Sequence, residues 1–322
     1  MAEVENEDIA PSASLPFEGV RLFGVAAIVV VLILASAGFS VQTSRATDRG
    51  EEAIADDIAN TLTTSMGNAV DDLSTVQTLV DDGVIEYKQF AEVAGPFIAE
   101  PSFSAAALAV VVTAEQRPAI EAELGVGITE RGSDNPFIPA ADRPSYAAVL
   151  AVAPETDTTI QLLGFDVAAD PVRGPALVEA ERTRAPAATE PVALQPLGTP
   201  GVIVAYPLFS MALGDADNAD NPVVGYAVSV HDAQDLLNTN DISRAGGARV
   251  RVRDAESILI ETDLPPESPT TAQIPIVNQV WTIEVDSGKA TNQWRTYTLL
   301  LLTAAIIVGA TGMNTASRRR LR

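Results

Sequence analysis

Among the side chains that most often do chemistry, this chain has no cysteine and one histidine, His231. That excludes thiol nucleophiles, cysteine-ligated zinc and disulfide frameworks, and any histidine-rich metal cluster. Carboxylates remain, with 43 Asp and Glu against 20 Lys and Arg. So many always allow a carboxylate pair for general acid–base work to be imagined, but they are spread along the chain, as expected of a solvated face. There is no Gly-x-Ser-x-Gly elbow, phosphate-binding glycine loop or His-Glu pair at helical spacing. His231 could titrate near neutrality, and the simplest expectation is a lone surface histidine. The residue types predict a protein that is not an enzyme and needs no cofactor or metal.

The formal net charge is −23, and essentially all of the excess lies between Gln42 and Arg295. Such a segment repels nucleic acid and anionic headgroups. Lys88 and Lys289 are the only lysines among many alanines, a bias that fits GC-rich prokaryotic coding or adaptation to salt.

The elements that hold this acidic segment come next. Leu22 to Val41 and Thr296 to Met313 are uncharged, mostly apolar runs, long enough to cross roughly 30 Å of hydrocarbon. Ala35-Ser36-Ala37 could mark a signal-peptide cleavage site, but the preceding tail is acidic, with Arg21 its only positive charge, so a signal anchor is expected. Arg318, Arg319, Arg320 and Arg322 follow the second run, and clustered arginines stay cytoplasmic. Arg45 and Arg49 argue weakly the other way, while Trp294 and Tyr297 sit where an interfacial anchor belongs. The expected topology is a two-pass cell-membrane protein with both termini cytoplasmic and the central domain outside.

Within that domain, Ile54, Ile58, Leu62, Met66, Ala69, Leu73, Val76 and Val80 recur every three or four residues, one face of a long helix. This stalk can pair with its own domain or with a second copy. Ser104–Val112, Tyr146–Ala153, Gly201–Phe209 and Val223–Val230 read as strands, Ala114–Leu124, Pro171–Arg184 and the segment from Asp232 as helices. Thr183–Pro200 reads as an extended segment or linker. Arg249–Val252, Ser257–Glu261 and Gln279–Val285 alternate like half-buried antiparallel strands. The fold class is α+β.

Tyr146, Pro154, Gly164-Phe165-Asp166, Arg173, the helix from Ala176, Thr189-Glu190-Pro191 and Tyr206-Pro207-Leu208 occur in an order and spacing that resembles the CHASE domain, the extracytoplasmic sensor of histidine kinases, cyclases and cytokinin receptors. Val112 to Arg117 upstream, and Gly225-Tyr226, Leu236-Leu237 and Trp281 downstream, resemble its flanks. Two departures stand out: Thr183 is followed by Arg184-Ala185-Pro186 where the family has a Thr-Gly pair, and no kinase or cyclase follows the second apolar run.

The resemblance implies a long stalk helix carrying two PAS-like antiparallel-sheet modules between two transmembrane helices. The expected division is a tail at 1–21, a first span at 22–41, a stalk at 42–90, a distal module at 91–222, a proximal module at 223–295, a second span at 296–313 and a basic tail at 314–322. It also implies a small-molecule ligand held by Asp166, with Ala188 and Thr189 as its partner strand, and a signal passed to a separate cytoplasmic or membrane protein. Asp166 could instead cap the helix that opens near Asp170-Pro171. Arg173 and Arg182 are expected as surface or ion-paired residues, and Tyr146, Tyr206 and Trp281 as core aromatics with satisfied polar tips. A homodimer through the stalk, a non-signalling envelope scaffold and a truncated receptor remain open.

Overall fold

The computed structural model describes residues 48–132, 136–194, 198–210, 221–237, 247–262, 264–267 and 269–287. Both apolar runs, both tails and residues 42–47 lie outside these. No helix among the described residues is long and apolar enough to cross a membrane.

Helix α1 covers residues 48–75. Ile58, Leu62, Met66, Ala69, Leu73 and, in the 3-10 turn Val76–Leu79 that follows, Val76 are all buried. The helix ends short of the expected residue 90 because Asp82-Gly83, both at positive φ, turns a small hairpin of β1 (Val80–Asp81) and β2 (Val84–Ile85). An Asp-Gly pair favours such a turn, since both central positions can take positive φ. Helix α2 (Phe90–Ile98) follows.

Among the described residues the remaining chain builds two larger antiparallel sheets and a separate two-stranded one, Thr129–Arg131 paired with Phe137–Pro139. Strand β3 (Ala105–Thr113), helix α3 (Arg117–Leu124) with Pro118 in its first turn, β4 (Thr129–Arg131), β5 (Phe137–Pro139) and β6 (Ser145–Ala153) come first. Helix α4 (Gly174–Thr183), β7 (Ala187–Ala188), β8 (Val192–Leu194), β9 (Thr199–Phe209) and β10 (Val223–Asp232) complete the larger sheet, ordered β6-β3-β10-β9-β7 with β8 also on β9. After α5 (Ala233–Leu236), strands β11 (Arg249–Asp254), β12 (Ser257–Glu261), β13 (Thr270–Ile276) and β14 (Gln279–Asp286) form a second sheet, ordered β12-β11-β14-β13.

Strand β10 therefore belongs to the first sheet, where it pairs with β3 and β9. The sheets divide after Asp232, not before Val223 as the sequence suggests. The reason is topological: the connection over 210–222 joins β9 to its immediate antiparallel neighbour.

One apolar cluster joins the buried stripe of α1 to one face of each sheet, through Leu108, Val204 and Ala227 of the first and Val252, Ile283 and Trp281 of the second. The stripe that could have paired with a second copy is thus spent inside its own domain. A second cluster fills the opposite face of the larger sheet, so its strands are apolar on both sides. In the 3-10 turn after α1, Gln77 ties the chain to the larger sheet, its amide donating to Phe209 O at 2.8 Å and accepting from Phe209 N at 2.9 Å.

Candidate functional site

The Gly164-Phe165-Asp166 triplet runs along the outer edge of β6. Gly164 N donates to Val149 O, Phe165 O accepts from Val149 N, and Asp166 N donates to Thr129 O, which stitches the triplet between β6 and β4. Gly164 stands at φ 81, and a Cβ there would come within 2.5 Å of Gly127 O. Only glycine fits that crossing.

Its neighbour Asp166 is fully buried. Oδ1 accepts from Ala147 N at 2.9 Å and from Ala168 N at 3.2 Å, which caps the 3-10 turn Val167–Ala169. Oδ2 lies 3.2 Å from Arg143 Nη1 yet makes no hydrogen bond to it. The two observations are compatible: the charges are in contact, but the N–H vector is misaligned, and a guanidinium beside a carboxylate without alignment forgoes most of the directional strength. Arg143 is also paired with Glu130.

A polar chain extends from there. Tyr146 OH accepts from Arg117 Nη1 at 2.9 Å and from Arg143 N at 3.1 Å and donates to Ala141 O. Glu121 accepts from Arg117 Nε at 2.8 Å and from Ile128 N, and those two bonds hold its carboxyl below the usual range.

Phe165 and Val167 face the apolar cluster on the outer side of the larger sheet. The floor of that face is small: Ala107, Ala109, Ala147, Ala187 and Ala205 are all buried there. Helix α4 covers it with Leu177 and Ala180, and Tyr226 OH donates to Glu181 of α4 at 3.3 Å. Burial and that carboxylate raise the Tyr226 phenol. Asp166 does not cap the helix beyond Pro171: α4 opens without a side-chain cap, and Asp170 closes the turn ahead of it, its Oδ1 accepting from Val172 N and Arg173 N while Oδ2 pairs with Arg173. Arg131 stacks on Phe137 at 4.2 Å and on Phe165 at 5.6 Å, and burial first, then the Arg173 charge, lowers its pKa.

Ala188 and Thr189 lie on the other edge of the sheet. Thr189 Oγ1 accepts from Ile203 N at 3.2 Å, while Ala188 N donates to Asn278 Oδ1 and Ala188 O accepts from Gln279 Nε2. The strands between β6 and β7 put roughly 20 Å of sheet width between Asp166 and this pair. Ala188 packs in the cluster shared with α1, on the opposite face of the sheet from the alanine floor.

Other expectations resolve individually. Arg182 pairs with Glu179 on the surface of α4. Tyr146 is a core aromatic with a satisfied hydroxyl, but the buried Trp281 has no partner for its indole Nε1. His231 is not a surface residue: it sits fully buried on a central strand, with Nε2 2.7 Å from Ser229 Oγ and Nδ1 2.7 Å from Ser102 O. Alternation along β10 turns it, like Ala227, inward to the α1 side.

Among the described residues no group of three His, Asp or Glu is placed to hold a metal. Sequence reasoning missed Arg143, Tyr146 as a polar hub, and Glu130; the only signal was an Arg three residues before a strand-opening Tyr.

Solved structures similar to this chain include ligand-binding domains of chemoreceptors. One is that of the Pseudomonas aeruginosa PAO1 amino acid chemoreceptor PctC in complex with GABA, at 12% identity and TM-score 0.45, covering 74% of this chain and 98% of that one. Another is the Pseudomonas fluorescens chemoreceptor CtaA with L-leucine, at 14% identity and TM-score 0.45, covering 75% and 94%. An extracellular ligand binding receptor from Desulfohalobium retbaense DSM5692 matches at 10% identity and TM-score 0.38; 70% of this chain is covered, and it spans 39% of that chain. No curated protein matches the sequence. The family model described as CHASE domain matches residues 83–264, more than half of the chain and a span that includes Asp166, Ala188 and Thr189. The chain belongs to the CHASE domain family.

Proposed function

We propose that this domain is the extracytoplasmic sensor of a two-pass membrane protein, built as two PAS-like modules on a stalk helix, which binds a small molecule and passes the signal to a separate cytoplasmic or membrane partner. The observation that carries the reading is Asp166 Oδ2, a fully buried carboxylate oxygen with an ionic neighbour and no hydrogen bond. A buried acceptor left in that state is costly, and a ligand N–H or ammonium would satisfy it. Ala188 and Thr189, on the far edge of the same sheet, are the further contacts of this reading. Extracytoplasmic placement rests on the apolar runs and terminal arginines.

The test is a thermal-unfolding screen of the full chain in detergent against amines, amino acids, purines, carboxylic acids and sugars, since a ligand that binds only the folded form raises Tm. A saturable shift, lost in Asp166→Asn, supports the reading. A shift unchanged in that variant removes Asp166 from the site, and no shift with any compound favours a protein-binding scaffold.

A further inference from the structure

The β13–β14 hairpin is gripped at both ends by side chains that join it to other parts of the fold. At the turn, Asn278 Oδ1 accepts from Ala188 N at 2.7 Å and Gln279 Nε2 donates to Ala188 O at 3.2 Å. Both backbone groups of one residue in the edge strand β7 are thereby held by the second sheet. At the opposite end, Glu51 of α1, only 6% exposed, accepts from Thr270 Oγ1 through one oxygen and from Ser287 N through the other, each at 2.8 Å. Strands of seven and eight residues set the two grips roughly 25 Å apart.

Between them the hairpin is stiff. Ile274, Ile276, Trp281, Ile283 and Val285 are buried in the cluster shared with α1. The turn residue Val277 stands at φ 55, a region that β-branched residues avoid and that survives only where the surroundings over-determine it. The Ala188 grip, one residue further on, is the adjacent constraint. At the other end, Glu51 and Ser287 are the points where the chain enters the domain after the first apolar run and leaves it toward the second.

We infer that this hairpin is a coupling arm: displacement of β7 is taken up by Asn278 and Gln279 and delivered to the Glu51–Ser287 contact, which sets the spacing of the chain's entry and exit. Helix α4, which covers the alanine floor, packs on β7, so closure over that face moves the gripped strand. The inference rests on the sensor reading for what moves β7. Its test uses no ligand, so its failure leaves the Asp166 screen untouched.

The test is amide hydrogen exchange on the full chain in detergent, comparing wild type, Asn278→Ala/Gln279→Ala, Glu51→Ala and the combination. Loss of the turn grip should speed exchange at Ala188 and also, by about 3-fold or more, at Ser287; loss of Glu51 should act back on Ala188, because coupling is reciprocal. The combined variant should be non-additive, although independent sites this far apart are additive. Asn278→Asp, which keeps the acceptor, should match wild type at both ends. Exchange in β3 and β10 shows whether each variant is folded; if the double substitution opens those strands, Gln279→Ala alone carries the same comparison. Effects confined to the mutated end, or additive effects, overturn the arm.

Discussion

Arg143 Nη1 stands 3.2 Å from Asp166 Oδ2 without donating to it, while Asp166 Oδ1 holds two backbone amides. The two oxygens of one carboxylate therefore do different work, one structural and one unspent. Asp166→Asn, with its carbonyl in the Oδ1 place, keeps both amide bonds but removes the charge beside Arg143 and turns an NH2 donor toward it, for about 2 kcal/mol, whereas Asp166→Ala removes that charge and also orphans both amides, for about 4 kcal/mol. Denaturant unfolding of the two variants measures the difference; equal costs would mean the amide bonds contribute nothing.

Gly164 is the hinge on which that aspartate is hung. Gly164→Ala adds a Cβ at positive φ, against Gly127 O at 2.5 Å, and should destabilise by about 2–4 kcal/mol. Since the backbone of Gly127 is the obstacle, no rotamer change relieves it. A Tm within two degrees of wild type would contradict this packing.

His231 is buried neutral, its pKa lowered to about 4 by burial, with the Ser102 carbonyl opposing. An unfolded histidine takes up its proton near pH 6.5. Between about pH 6.5 and 4 the unfolded state thus binds more protons, so stability falls as pH falls through that window, by at most about 3 kcal/mol, and this contribution is constant above pH 7. Carboxylates titrate there too, so the test is the difference between wild type and His231→Gln: the variant should be less stable at pH 7 and lose less on acidification.

Leu62, fully buried in the α1 stripe, should cost about 2–5 kcal/mol on Leu62→Ala, with the fall in Tm independent of protein concentration. A seam between two copies would instead give a concentration-dependent loss. Thr64 on the exposed face should tolerate alanine within about 0.5 kcal/mol.

Periodicity carried much of the fold. The stripe from Ile54 to Val76, the runs that became β3, β6, β9 and β10, and the alternation in β11, β12 and β14 are written in residue types, because a buried face imposes its period on the chain. Strand β13 was hidden: Thr270–Ile276 contains Pro275 and few large apolar residues, which an edge strand tolerates. Strands β7 and β8 were hidden by brevity, since two or three residues have no period. Among the described residues, nothing local to Val223 says which sheet it joins.

The sequence by itself determined the acidic, cysteine-free domain between two apolar runs, the α+β class and the family to which Asp166 belongs. Only the tertiary structure decided that Asp166 and Ala188 sit on opposite edges of one sheet, that Arg143 reaches the first and Asn278 the second, and that His231 is buried. Those facts depend on strand order and on which face each side chain turns to, and both are set by pairings between residues far apart in the chain, which no local pattern encodes.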